Sequence, residues 1–343
     1  MNSANLTVAF SINDIQIGIG NMKPHQVSRR KFLAQSGSCG AYVFGLAALC
    51  PGMTRQVFSF QDDNIVAQEK WGALQKINDK FYAVISTPFD TRDFTTVCNG
   101  GLVVGDDRVL AVESFMNNKG AKWLSDQALK LCGKRPTDVI STHFHGDHTA
   151  GASGYFEDDN EPTVWLTKPT FELLEKSRSN SENPEYPAVE YVSHEETTEL
   201  DLGGTKVNIV PRSGHTPSDV TIEVVDPHIV YCGDLFFNRM IPNYSDSIPE
   251  QLHKDVAALV SEKDTTYVPG HGPVASVEDL KLYQEFLHYV EDEAKGMFDR
   301  ELSVEEAASE FKLKGKFEDW FIFSPQVVPR AMTAWYNVFK EQE

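Results

Sequence analysis

The sequence predicts a layered α/β domain with a helical C-terminal segment. Short apolar, β-branched runs alternate with helical patterns between residues 81 and 268. Gly-, Asp-, Asn- and Pro-rich turns separate those runs. Beyond residue 276 the pattern becomes helical, opened by capping signals. The 343 residues are 41% hydrophobic, enough for one large domain or two small ones with a sizeable core.

Taken in order, residues 81–85, 96–104 and 109–113 read as strands, with Gly105-Asp106-Asp107 as a hairpin signal between the last two. An amphipathic helix follows, with Ala121, Leu124, Ala128 and Leu131 on one face, Gly133 as its stop and Pro136 beyond. Residues 138–142 form a short strand that leads into a histidine-rich loop. Residues 164–167 are a strand and 169–176 a helix. The polar stretch 177–187 reads as an exposed loop, either a rim beside the site or plain solvent loop. Val207 and Ile209 alternate with polar neighbours as a strand does. Residues 219–225 and 229–232 pair across Asp226-Pro227, 249–261 is a helix and 266–268 a strand. Ser276 with Asp279, and Ser303 with Glu306, are capping boxes, and Ser324-Pro325 opens a last helix. Trp320, Phe321, Phe323 and Trp335 read as packing residues, with substrate contact as the alternative.

Ser28-Arg29-Arg30-Lys31-Phe32-Leu33, followed by an apolar run over 39–50, reads as a twin-arginine export leader. Such leaders begin near the initiator, so Met22 is the expected start, and Ser59 is a possible last leader residue. The run over 39–50 is too short to span a bilayer, so no stable membrane association is expected after processing. Cys50 superficially suggests a lipoprotein site, but Leu49 is too large for the position before it. The five cysteines show no CxxC spacing and no disulfide framework. Cys232, two residues before Asp234, reads as a small apolar residue at a strand end. The net charge of −19 argues against nucleic acid as a partner, because phosphate binding needs Lys and Arg.

The chemistry concentrates in His143-Phe144-His145-Gly146-Asp147-His148. In an extended segment His143, His145 and Asp147 point to one side and His148 to the other. Imidazoles with a carboxylate suit a borderline cation such as Zn²⁺, held at ~2.0–2.2 Å by N and O ligands. His215, Asp234 and His271 each follow an apolar run and sit beside glycine, where a loop can turn a ligand inward. Asn238, Arg239, Asn243 and Tyr244 follow Asp234 and are candidates for the pocket wall. His194, His228, His253 and His288 match no ligand position and read as surface or core histidines.

These motifs, in this order, resemble the metallo-β-lactamase-fold hydrolases over residues 78–273. The resemblance implies a four-layer αββα sandwich at 60–275, with a leader at 1–59 and a helical extension at 276–343. It implies two zinc ions: His143, His145 and His215 on one, Asp147, His148 and His271 on the other, Asp234 between them. It also implies a metal-bridging hydroxide oriented by Asp147, the expected catalytic residue, with Glu113 as a candidate carboxylate behind the ligands. Asp234 stands where class B1 β-lactamases carry a cysteine ligand, which points to the glyoxalase-II-like branch. Phe144 stands where true glyoxalase II carries histidine, and the tail is acidic, which points away from glutathione thioesters. The expected function is an exported, periplasmic or secreted, zinc hydrolase of a small-molecule ester, lactone, thioester or lactam. The alternatives are a β-lactamase proper, a mononuclear iron oxygenase acting on persulfides, or a metal-bearing binding protein without turnover.

Overall fold

The computed structural model describes residues 64–87, 93–156, 159–178, 189–261 and 264–343. The leader with its twin-arginine motif, Met22, Cys50 and Ser59, and most of the polar stretch 177–187 lie outside the described residues.

Two sheets make the framework. The first runs in chain order through β1 (Ile65–Glu69), β2 (Gly72–Lys76), β3 (Phe81–Ser86), β4 (Gly100–Val104), β5 (Val109–Val112), β6 (Asp138–Ile140), β7 (Thr163–Thr167) and β8 (Val189–Val192). Its pairs are antiparallel as far as β5 and parallel from β5 to β8. The second holds β9 (Thr198–Asp201), β10 (Lys206–Pro211), β11 (Val220–Val224), β12 (Ile229–Phe237) and β13 (Thr266–His271), with β12 and β13 parallel.

Strand alternation sets the layers. In β3, Phe81, Ala83 and Ile85 face the core shared with the second sheet, where they meet Val207, Ile209, Ile222 and Tyr231. Tyr82 and Val84 face the opposite way, toward Ala121, Leu124 and Ala128 of helix α1 (Asn118–Cys132). On the second sheet Val230 and Cys232 face α4 (Pro249–Leu259), α5 (Val277–Phe298) and α7 (Val327–Gln342). The order helix, sheet, sheet, helix is the four-layer sandwich. The outer helical layer beyond the second sheet holds Trp320 and Trp335, both buried. Among the described residues no helix is long and apolar enough to cross a membrane.

Local signals account for the element ends. Asn117 caps α1 by accepting from the Lys119 amide, and Gly133 ends it in the left-handed region. Ser276 with Asp279 and Ser303 with Glu306 form reciprocal capping boxes on α5 and on α6 (Val304–Glu310).

Several elements differ from the sequence reading. Residues 96–99 are not strand: Val97 has φ 69°, and the segment wraps toward the site. Leu131 is exposed, while the buried face of α1 keeps Ala121, Leu124 and Ala128 and also takes in Trp123, Ser125 and Gln127. The last helix starts at Val327 rather than at Pro325, because Ser324 Oγ accepts from the Gln326 amide in a turn ahead of it. β12 continues past Cys232 to Phe237, so Asp234 lies within a strand. The helix read at 169–176 is α3 (Lys168–Arg178), whereas β1, β2, β8 and β9, and the four-residue helix α2 (Gly146–Thr149), were not foreseen.

Candidate metal centre

The ligand candidates meet at one end of the sandwich, brought there by both sheets. β6 leads into the loop with His143 and His145, and α2 carries Asp147 and His148. β10 precedes the His215 loop, and β13 ends on His271. The pairing of β12 with β13 shifts register on both sides of Gly233, the kind of irregularity that re-aims a side chain, here Asp234.

Two donor groups result. His143, His145, His215 and Asp234 form one; Asp147, His148 and His271 form the other. His145 Nδ1 is 3.1 Å from His143 Nε2 and 3.1 Å from His215 Nε2. Asp234 stands between the groups: Oδ2 is 3.3 Å from His215 Nε2, and Oδ1 is 3.1 Å from His148 Nε2 and 3.3 Å from His271 Nε2. Asp147 Oδ2 lies 3.5 Å from His271 Nε2. The extended-segment picture does not hold throughout this loop. The helical turn of α2 swings Asp147 away from His143 and His145 and onto the side of His148.

The residues fit a pair of divalent cations. His148 Nε2 and Asp234 Oδ1 are buried and face each other at 3.1 Å, yet neither has a hydrogen-bond partner. A buried polar atom without a partner is costly unless something else satisfies it. Burial pushes His143 well below the usual histidine range and brings His215 down to about 3, so both are neutral and able to donate a lone pair. Burial works against a charged Asp234, but His271, His148 and His215 outweigh it and hold the carboxyl well below its usual range.

A surrounding set of groups holds the imidazoles. Glu113 Oε1 stands 3.0 Å from His148 Nδ1 and accepts from Thr142 Oγ1 at 2.6 Å; Oε2 accepts from the Thr142 amide at 3.2 Å. Thr142 Oγ1 is also 3.0 Å from His143 Nδ1. Glu113 itself has φ 73°, a backbone turn at the end of β5 that brings its carboxylate under the site. Asp246 Oδ2 pairs with His145 Nε2 at 2.9 Å, and that bond holds the Asp246 carboxyl below its usual range. Asp219 carries the His215 turn by accepting from the amides of His215 and Thr216, at 2.8 Å each. Neither Asp246 nor Asp219 was found from sequence. Asp219 had a signal, an acid four residues after a ligand; Asp246 had none. Cys98, also missed, is buried with Sγ 2.9 Å from the Asp147 carbonyl. A Cβ on Gly270 would meet Asp234 Oδ1 at 2.2 Å, so a side chain there would displace the carboxylate.

Above the ligands lies a pocket of about 390 Å³. Phe94, Val97, Met116, Phe237 and Phe323 give it an apolar wall; Asn243, Ser245, Asp246 and Arg330 give it a polar one. Of the four pocket candidates read from the sequence, only Asn243 lines it, and its Oδ1 accepts from Arg330. Asn238 is buried and spends its amide on the Pro273 carbonyl at 3.0 Å. Arg239 approaches Asp279 at 3.8 Å instead, and Tyr244 is buried among the C-terminal helices. Phe323, read as a packing residue, stacks on Phe237 with ring centroids 6.3 Å apart and also faces the pocket.

Known proteins share parts of this sequence and this fold. A metallo-β-lactamase type 2 of Bacillus sp. (strain 170) is 28% identical over 185 residues, covering 52% of this chain and 68% of that protein. A hydroxyacylglutathione hydrolase of Idiomarina loihiensis is 24% identical over 153 residues, 45% of this chain and 51% of that protein. Among solved structures, a stereoselective inverting sec-alkylsulfatase from Pseudomonas sp. shares the fold with a TM-score of 0.62 at 13% identity, over 78% of this chain and 50% of that one. A metallo-β-lactamase from Pontibacter korlensis shares it with a TM-score of 0.52 at 16% identity, over 63% of this chain and 99% of that one. The chain thus spans only about half of two of these relatives. The sequence profile of the Metallo-beta-lactamase superfamily matches residues 94–271, from the pocket wall at Phe94 to the last histidine of the cluster, and this chain belongs to that superfamily.

Proposed function

We propose that this superfamily hydrolase is an exported dinuclear zinc enzyme that cleaves an ester, lactone, thioester or lactam bond in a small molecule. One observation carries the reading: the two carboxylate oxygens of Asp234 face separate donor groups, Oδ2 toward His215 and Oδ1 toward His148 and His271. A carboxylate so placed lowers the repulsion between two cations a few ångströms apart. When bound, such ions polarise the scissile group and bring the pKa of a water toward ~7.

The chain's own residues do the rest. Asp147, one-fifth exposed and facing the pocket, orients the attacking water and accepts its hydrogen bond. The apolar wall from Phe94 to Phe323 holds the body of the substrate and keeps bulk water from it. Arg330 favours a substrate with an anionic substituent. No Ser or Cys nucleophile is needed, and buried Cys98, its thiol pushed up to about 12 by burial, is unsuited to that role. The names of two relatives, a metallo-β-lactamase and a hydroxyacylglutathione hydrolase, support a hydrolytic reaction of this kind. Arg29-Arg30-Lys31-Phe32-Leu33 supports export by the twin-arginine machinery, a route that suits an enzyme loaded with metal before it leaves the cytoplasm.

Elemental analysis of the mature protein tests this, paired with a lactam, an aryl ester, a lactone and a thioester as substrates. Two zincs and turnover of one substrate are expected, with Asp147→Ala losing about 10²–10⁴-fold in kcat. A single iron, oxygen consumption on a persulfide and a silent panel overturn the reading in favour of an oxygenase.

A further inference from the structure

A second cluster of metal-type donors lies away from the pocket, between α4 and α5. His253 is on α4; His288 and Glu291 sit one turn apart on α5. Glu291 Oε2 is 3.5 Å from His253 Nδ1 and 3.4 Å from His288 Nδ1. The two rings are nearly perpendicular, with centroids 4.6 Å apart. One donor atom from each residue falls within a 4.8 Å group.

These spacings are long for hydrogen bonds to a carboxylate, which settle at ~2.7–2.9 Å. They match the edge of a tetrahedral site: ligands ~2.0–2.1 Å from a zinc ion stand ~3.3 Å apart. Neighbouring nitrogens and oxygens of the primary cluster stand at comparable distances, from 3.1 Å to 3.9 Å. His253 has only one nitrogen to offer. Its Nε2 is buried without a partner and its ring lies edge-on to Trp335, centroids 5.2 Å apart, which leaves Nδ1 facing Glu291. His288 is exposed on the solvent side, which leaves a path for an ion and room for water to complete the coordination.

We propose that His253, His288 and Glu291 form an additional site for a zinc-class divalent cation, which ties α4 to α5. The sequence reading of His253 and His288 as ordinary surface or core histidines is then incomplete. The tie has a use. Asp255 of α4 accepts from the Ser213 amide at 2.9 Å, two residues before His215, so α4 braces the loop behind one primary ligand.

Equilibrium dialysis at one free zinc concentration tests the site, comparing full-length wild type with His288→Ala and Glu291→Gln. Each variant is expected to bind one equivalent less than wild type, with an unchanged far-UV spectrum. His288 is solvent-facing and Gln keeps the size of Glu, so neither change removes core packing. Equal zinc content in the wild type and either variant overturns the site. The comparison is a difference, so it does not depend on how many ions the His143–His271 cluster holds.

Discussion

Asp246 and Glu113 act on the metal ligands through atoms that face away from the cluster. Asp246 accepts from His145 Nε2, which fixes the tautomer that turns Nδ1 toward His143 and His215. Glu113 stands against His148 Nδ1 and accepts from Thr142. Removing such a partner typically costs ~10–100-fold in metal affinity or activity. Asp246→Ala is therefore expected to weaken retention of one ion by about that factor, with an unchanged fold; chelator competition reads it. Wild-type retention in Asp246→Ala would show that packing alone orients His145. The ligand residues themselves were legible because all seven pair a distinctive residue type with a neighbouring glycine or with the hexapeptide's spacing. Asp246 was not legible, because it meets His145 across 101 positions of chain and only the closed fold brings them together.

At the scale of elements, strands with full alternation were readable and those without it were not. β3 and β5 alternate between two buried faces. β1 and β8 are mostly half-buried or exposed at the ends of the first sheet, and nothing in their residues requires a strand. Residues 96–99 misled in the other direction: their apolar character serves the pocket wall at Val97 and the buried thiol of Cys98 rather than a sheet. The aromatic residues of the C-terminal segment read chiefly as packing, with substrate contact the alternative, yet α7 places Arg330 at the pocket and the segment before it places Phe323 there. Arg330 also donates to Asn243, so it arrives at the pocket already oriented. If it anchors a negative group, Arg330→Ala raises KM for an anionic substrate about 10-fold and leaves kcat within a factor of two or so, as loss of uniform binding does. A neutral substrate of the same bond class should show no change in KM. Equal effects on both substrates would reassign Arg330 to shaping the wall. Backbone contact explains a second element-level constraint. β13 crosses Asp234 closely at Gly270, so Gly270→Ala is expected to displace the bridging carboxylate and to lose bound metal while the sheets persist, measured as zinc per chain beside the far-UV spectrum.

For the molecule as a whole, the cluster is a junction between the two sheets. His143 and His145 follow β6 of the first sheet, while His215, Asp234 and His271 follow or lie within strands of the second. The hydrophobic layer between the sheets brings them together but leaves like-natured donors facing one another at 3.1–3.9 Å, mostly buried and partly without partners. An unfolded chain keeps none of this arrangement, so an ion that binds the folded state alone stabilises it by RT ln(1 + [L]/Kd), about 2.7 kcal/mol for each site at a hundredfold excess over Kd. In a domain of this size each kcal/mol moves Tm by ~2–4 °C. Chelation should therefore lower Tm by roughly 5–10 °C for each ion removed, and zinc should restore it. Asp234→Asn provides the control. It removes the charge that opposes two cations' repulsion, so the variant should recover only part of the shift when zinc is added back. Calorimetric scans of wild type and variant, with chelator and then with zinc, decide it. A chelated wild type that melts where the loaded one does would mean that sheet packing alone carries the fold and that the donors meet without strain.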